Sequence, residues 1–439
     1  MYQSIGRNWV ARPALAMILG MVAQLGAETA EAHELYNEGD TSLDFNFTAM
    51  YAWLTSQESY FGKDGRSTWQ EGYAKYGLSG ATGLAGGSLY GGIAGLSSAT
   101  WGAGDAGGNT SGDEDDTTWE DAFVGWKSGD LLPALGKDGL DVSLGRQGLI
   151  IGDGFVIKND GLAYGQPYGD HYDRGGAYYL AARQSFDKTA IVRLGGDKGL
   201  RADLAWVHSD NPGQSETEFA LANIEHVGEN GTLAFMHLRG LGVDDKTIFT
   251  NQLERDGLKL YSLRGTRQID DLFLSGEYVI EDKRNAATAG YAEVGYTLSG
   301  LPWSPTVSYR YARFSKHYDA MFTGYKRGYG TWVQGEVAGN YAGPFNTNTR
   351  VHHVGIKASP SESLTVGALY FDFKTLDTEL GNTDARELDF YLEWFPTPSY
   401  YISPTIGLYD PRRDLASGGT QTADDKLSTY AQVTFGVFF

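Results

Sequence analysis

From residue 43 onward, hydrophobic and polar positions alternate with a period of two. The alternating segments run for roughly ten residues, and each ends in a turn or a polar loop. In Thr429–Phe439 the odd positions are Thr429, Ala431, Val433, Phe435, Val437 and Phe439 and the even ones Tyr430, Gln432, Thr434, Gly436 and Phe438, so one face is apolar and the other mostly small or polar. Segment 388–394 sets Leu388, Phe390, Leu392 and Trp394 against Asp389, Tyr391 and Glu393. Segment 291–298 sets Ala292, Val294, Tyr296 and Leu298 against Tyr291, Glu293, Gly295 and Thr297. Segment 272–281 is less regular, because Phe273 and Val279 fall among its polar positions. Each pattern is that of a strand with one apolar and one polar face.

A soluble sandwich and a membrane barrel both alternate in this way. Three features favour the barrel. Connections alternate in length: 410–427, 374–386 and 315–349 are long, while 396–399, 359–363 and 299–305 are short. Aromatic residues crowd the segment ends, at Trp303, Tyr309, Tyr311, Trp394, Phe395, Tyr400, Tyr401 and Tyr409, as two interfacial girdles would. The last segment carries an aromatic at Phe439, with apolar residues two apart before it, the form of an outer-membrane barrel's recognition strand. The predicted fold is all-β, a single transmembrane antiparallel barrel. Nineteen segments qualify as strands, and a single-chain bacterial barrel has an even number. The expectation is therefore 18 strands, with 16 as the alternative. The surplus lies where 176–186, 188–195 and 200–208 crowd together.

Composition narrows the class. The chain has no Cys, 60 Gly, 28 Tyr and a net charge of −20. A disulfide scaffold and a Cys-ligated metal site are excluded, and so strong an acidic balance argues against a nucleic-acid partner. Arg7 and Arg12 precede the apolar run Ala14–Leu25, and Ala30-Glu31-Ala32 has the form of a cleavage site. Residues 1–32 are read as a signal peptide and 33–439 as the barrel with long extracellular loops. The expected location is the bacterial outer membrane. Expected partners are its lipid and lipopolysaccharide, together with the barrel-assembly machinery through the strand ending in Phe439.

The polar face holds the candidate chemistry. By parity Arg183, Arg193, Arg264, Arg310 and Lys357 fall on it, with Glu277, Glu293, Asp389 and Glu393. Such a mixed lining orients polar or anionic solutes, the acids holding the arginines in place. Arg146 is out of phase, sharing parity with Leu140, Val142 and Leu144. Either a bulge at Gly145 returns it to the lumen or it snorkels at an interface. Two Gly-rich stretches, 102–118 and 158–175, read as loops. The acidic run Asp113–Asp116 lacks the spacing of a Ca²⁺ loop. His352 and His353, adjacent on a strand, point to opposite faces and cannot chelate together. No metal, cofactor or catalytic constellation is expected, and the chain is not read as an enzyme.

Two stretches resemble the alginate export family of outer-membrane barrels: Leu140–Ile157, with its Gly145-Arg146-Gln147 core, and Asn346–Phe373, a strand–turn–strand unit. The resemblance implies an 18-stranded porin-like monomer that passes a polysaccharide or smaller solutes, with Arg146 as a pore residue. It also implies a strongly electropositive constriction for alginate itself, from which 55 acids against 35 bases depart. Two functions remain open. One is a channel for sugar acids, oligosaccharides or an exported polysaccharide, with loop 315–349 folded inward or gating. The other is a structural or interaction barrel with a plugged lumen. The Tyr- and Gly-rich stretch Tyr318–Tyr341 suits either stacking on sugar rings or packing as a surface loop.

Overall fold

A computed structural model describes residues 33–324, 326–329 and 334–439. The expected signal peptide, residues 1–32, lies outside them. Among the described residues nineteen strands are formed. β1 (His33–Glu38) is followed by β2 (Thr41–Ser56), β3 (Ser67–Leu84), β4 (Gly87–Gly102), β5 (Asp115–Lys127) and β6 (Leu140–Gln147). Next come β7 (Phe186–Leu194), β8 (Gly199–His208), β9 (Glu218–Gly228), β10 (Gly231–Gly242), β11 (Lys259–Ile269) and β12 (Leu272–Asp282). The series ends with β13 (Ala287–Thr297), β14 (Thr306–Phe314), β15 (Thr349–Ser361), β16 (Leu364–Thr375), β17 (Ala385–Thr397), β18 (Tyr400–Pro411) and β19 (Ser428–Phe438).

Strands β2 to β19 pair antiparallel in chain order, and β19 closes on β2 with Tyr430 opposite Ser56 and Phe438 opposite Thr48. The result is a closed barrel of 18 strands. Closure removes every sheet edge from the wall. β1 stands outside that count. It pairs with the start of β2, His33 opposite Phe45, on the edge that β19 leaves free, and so continues the line of β19. Phe439 is bonded to Phe47 through both backbone groups, and their rings stack at 4.8 Å.

The alternation places the side chains as the pattern predicts. Leu204, Ile224, Leu263, Val294, Ile356, Phe390 and Phe435 are exposed around the outside, a continuous apolar band such as lipid requires. Among the described residues no helix is long and apolar enough to cross a membrane, so any crossing is made by strands. The girdle is sparser than expected. Trp303, Tyr309, Trp394 and Tyr400 face outward, but Phe395, Tyr401 and Tyr409 are buried on the inner face. Adjacent aromatics such as Trp394 and Phe395 cannot share one side of a strand.

The surplus segment 176–186 is no strand over 176–185. Ala177 and Ala181 have φ of 53° and 46°, which breaks the extended chain, and Ala177, Leu180 and Ala182 are buried inside the barrel. Connections such as 85–86, 229–230 and 270–271 are tight at one end of the barrel. Long loops leave the other end, among them 148–185, 243–258, 315–348 and 412–427. The exceptions are the longer connection 128–139 at the first end and the short 283–286 at the second.

Candidate functional site

An 18-stranded barrel encloses more space than side chains can fill. Here two loops occupy it. From loop 148–185, Leu149, Ile151, Phe155 and Ile157 pack with Tyr318, Met321 and Phe322 of loop 315–348 against Val207, Phe219, Leu238 and Phe314 of the wall. The loops are also joined by backbone: Lys158 N–H donates to the Phe322 carbonyl (2.7 Å) and Gly324 N–H to the Gly154 carbonyl (2.9 Å). A second apolar cluster joins Tyr179 and Leu180 to Val337, Ala338 and Tyr341, over Trp69, Phe371 and Tyr430.

Polar latches fix the same loops. The buried Arg255 of loop 243–258 grips Asp319 with both arms of its guanidinium, at 2.7 and 2.8 Å. Two N–H groups, of Val337 and Ala338, donate to the Glu387 carboxylate at 2.7 and 2.9 Å. Tyr179 donates to Glu336 at 2.7 Å, and Tyr329 lies flat on Tyr391 with ring centres 4.1 Å apart. The described parts of loop 315–348 therefore fold inward, and their tyrosines mostly pack rather than stand free.

The remaining inner surface is an arc of ion pairs along β3 to β14. Lys75 meets Asp121 at 2.6 Å. Arg193 lies between Asp141 (3.5 Å) and Asp203 (3.8 Å). Glu225 takes Arg264 at 2.9 Å and Arg201 at 3.8 Å. Glu277, opposite Arg264 in register, accepts from Ser262 at 2.5 Å. Glu293 receives Arg310 (3.0 Å) and Arg327 (2.8 Å), and Arg327 also reaches Asp153 (3.0 Å). Several of these groups meet solvent: the Arg201 side chain is 34% exposed, Arg193 23% and Lys75 14%. The opposite wall, β15 to β19, differs. Asp389 and Glu393 point inward but are 0% and 1% exposed, Asp389 beneath the Glu336 backbone and Glu393 beside Tyr401. Lys357 is exposed at the tight-turn end, opposite Thr306.

Arg146 and Arg183 join a separate knot near the long-loop end. Asp210 receives Arg146 at 2.8 Å, Arg174 at 3.4 Å and Arg183 at 3.5 Å, and Arg146 also reaches Asp187 at 3.0 Å. Gly145 has φ +121°, and the β6–β7 register shifts just beyond it, between Gly145 and Gln147. That irregularity lets Arg146 reach Asp210 despite its parity. Burial pushes the Asp210 carboxyl up, but the guanidiniums of Arg174, Arg146 and Arg183 outweigh it and hold the group below the usual carboxylate range. Asp160, in loop 148–185 with Arg174, is raised to about 6 by burial, against the pull of Arg174.

Parity on β3, β5, β6, β8 and β9 marks Lys75, Asp121, Asp141, Asp203, Arg201 and Glu225 as inward, a signal that pairing neighbouring strands brings out. Arg174, Arg255 and Arg327 sit in loops, where no periodicity marks them. His352 faces outward, hydrogen-bonded to Tyr309 Oη at 2.8 Å, while His353 stacks inward on Phe371 at 4.4 Å. Glu114 of the acidic run is buried, accepting from the backbone N–H groups of Ser111, Gly112 and Gln166. Among the described residues no three His, Cys, Asp or Glu side chains group as metal ligands.

No protein-family model matches the chain, and no curated protein does. Solved structures share its fold. OccK2 (OpdF) of Pseudomonas aeruginosa aligns with a TM-score of 0.56 and 11% identity, over 90% of this chain and 98% of that one. OccAB2 of Acinetobacter baumannii gives 0.56 and 10%, over 92% and 99%. OccK7 (OpdD) of Pseudomonas aeruginosa gives 0.54 and 13%, over 92% and 100%. The fold is that of an outer-membrane barrel. Outer-membrane barrels keep tight turns in the periplasm and long loops outside, and the two inward loops narrow this lumen from its long-loop end.

Proposed function

We propose that the barrel is a solute channel, related in kind to the alginate export barrels that two of its stretches resemble. In this reading it passes small polar or anionic solutes, such as sugar acids and short oligosaccharides. One observation carries the reading: partly exposed Arg–carboxylate pairs line one arc of the lumen, while the opposite arc is covered by loop 315–348. Fixed charges of both signs along a narrow aqueous path replace part of a solute's hydration and orient it. Two pinned loops suit small solutes better than a continuous polymer. The ten lining candidates divide accordingly. Arg193, Arg264, Glu277, Glu293 and Arg310 belong to the arc, Arg146 and Arg183 to its outer entrance, and Lys357 to its periplasmic exit. Asp389 and Glu393 serve to seat the loop.

The two apolar clusters and their latches also support a second reading, a barrel that is shut at rest and serves a structural role. Single-channel recording of the refolded protein in a planar bilayer separates the two. Steady conductance that uronic acids block, and neutral sugars block less, supports the channel. A correctly folded but silent barrel supports the second reading.

A further inference from the structure

Three cations stand in one row on the lipid-facing wall. Arg313 of β14 lies directly opposite Arg350 of β15, and Arg350 directly opposite Lys374 of β16. All three have outward parity, shared with the exposed Tyr309, Val354 and Tyr370. The row is at the extracellular end of its strands. The next row toward the membrane centre holds Tyr311 and His352, whose rings are 5.0 Å apart, and Val307 and Ile356 lie further in. Cations, then aromatic and imidazole rings, then aliphatics is the order of headgroup, interface and hydrocarbon.

The row has more charge than the protein neutralises. Lys374 is paired with Asp384 at 2.8 Å, and nearby Asp372 with Arg386 at 3.2 Å. Among the described residues Arg313 and Arg350 have no acidic partner and no hydrogen bond through the guanidinium, although both are exposed. Like charges directly opposite on adjacent strands repel. The other outward basic pair described on this rim, Arg239 and Lys259, has Asp282 at 3.6 Å from Lys259. An anion placed between Arg313 and Arg350 turns the repulsion into attraction, and guanidinium forks match a phosphate in two-point contact.

We propose that Arg313, Arg350 and Lys374 bind a phosphate of lipopolysaccharide, the phosphorylated glucosamine head of a glycolipid in the outer leaflet. The acyl chains of that lipid then lie along the apolar wall at Val307 and Ile356. The depth and leaflet of the row commit the site to this lipid rather than to free phosphate, and the assignment is independent of what passes through the lumen.

Native mass spectrometry of the refolded barrel in detergent tests it, with bisphosphorylated lipid A as the probe. The expected result is one retained lipid A per barrel. Arg313→Ala/Arg350→Ala should weaken binding about 30-fold, from the usual contribution of two surface arginines to anionic lipid. Lipid A stripped of its phosphates should bind the native barrel as weakly, and Arg239→Ala/Lys259→Ala should change nothing. Arg350→Glu guards against misfolding. It sets a carboxylate opposite Arg313, so the barrel should fold as well as before, by heat-modifiable mobility, yet lose lipid A. Undiminished binding in Arg350→Glu or in the double variant overturns the proposal. So does equal binding of dephosphorylated lipid A, of phosphatidylglycerol, or full displacement by inorganic phosphate.

Discussion

Removing Arg255 should release the inner loop without harming the barrel. The guanidinium holds Asp319 at 2.7 and 2.8 Å and donates also to the Gln214 carbonyl (3.1 Å), Gln214 Oε1 (3.0 Å) and Thr217 Oγ1 (3.2 Å). Both partners are buried. Arg255→Ala leaves the Asp319 carboxylate facing an emptied space, and breaking one side of a buried pair costs about 3–5 kcal/mol. Lys283, paired with Glu281 at 2.9 Å and close by, places the cost at the lower end. At about 3 kcal/mol the docked-to-undocked ratio of loop 315–348 falls roughly a hundredfold. Hydrogen exchange reads this directly, because local openings report their own free energies. Amides of Tyr318, Asp319, Thr323 and Gly324, all hydrogen-bonded in the docked loop, should lose about a hundredfold protection while those of β14 keep theirs. Arg255→Met/Asp319→Leu removes both charges and should recover most of it. Burial raises the Asp319 carboxyl, but the Arg255 charge outweighs it and the group stays below the ordinary carboxylate range. A lowered carboxylate stabilises above its unfolded value and loses that effect only as pH falls through the lowered one. The Arg255–Asp319 pair itself should therefore stay ionised from neutral pH to about 5. Unchanged exchange in Arg255→Ala, or a loss spread evenly over the strands, would refute the reasoning.

Other consequences can be checked in the same preparations. Asp160, raised to about 6, binds its proton more tightly in the folded loop, so stability falls as pH rises from about 4 to 6. Exchange over 159–164, corrected for intrinsic rate, should therefore be slower at pH 5 than at pH 7.5 by about tenfold, and Asp160→Asn should erase the difference. Arg193→Ala should shift the reversal potential toward cations more than Arg310→Ala, since the Arg193 side chain is 23% exposed and that of Arg310 only 4%. Equal shifts would count against the solvent-facing arc. Gly152 has φ +60°, and a methyl there would come within 2.5 Å of Arg264 Nε. Gly152→Ala should cost about 1–2 kcal/mol of backbone strain and speed exchange over 149–157 about five- to thirtyfold, and wild-type exchange would contradict that seat.

The wall was legible because lipid outside and water inside impose one rule on every strand. Eighteen of the nineteen expected segments are strands, and Glu293, Asp389 and Arg264 face inward as their parity requires. The failure at 176–186 has the same origin. A loop lying between the wall and the lumen also has two unlike faces, so Ala177, Tyr179 and Leu180 imitate a strand until positive φ angles break it. Loop direction left no such trace. Length marked 148–185 and 315–348 as unusual, but their inward course depends on contacts such as Arg255–Asp319 and Lys158–Phe322 between segments distant in sequence. For that reason Asp389 and Glu393 were legible as inward residues but not as residues covered by a loop.

The central claim is that solutes travel along the ion-paired arc and not beside β15 to β19. The chain has no Cys, so single cysteines report without background. Arg201→Cys places a thiol on the arc, and Thr405→Cys places one on the covered wall, where Thr405 is 1% exposed. The decisive measurement is the single-channel current of each variant before and after a charged methanethiosulfonate reagent is added to the bath. The account predicts a stepwise fall in current for Arg201→Cys and none for Thr405→Cys. Block at Thr405→Cys with Arg201→Cys untouched would contradict it.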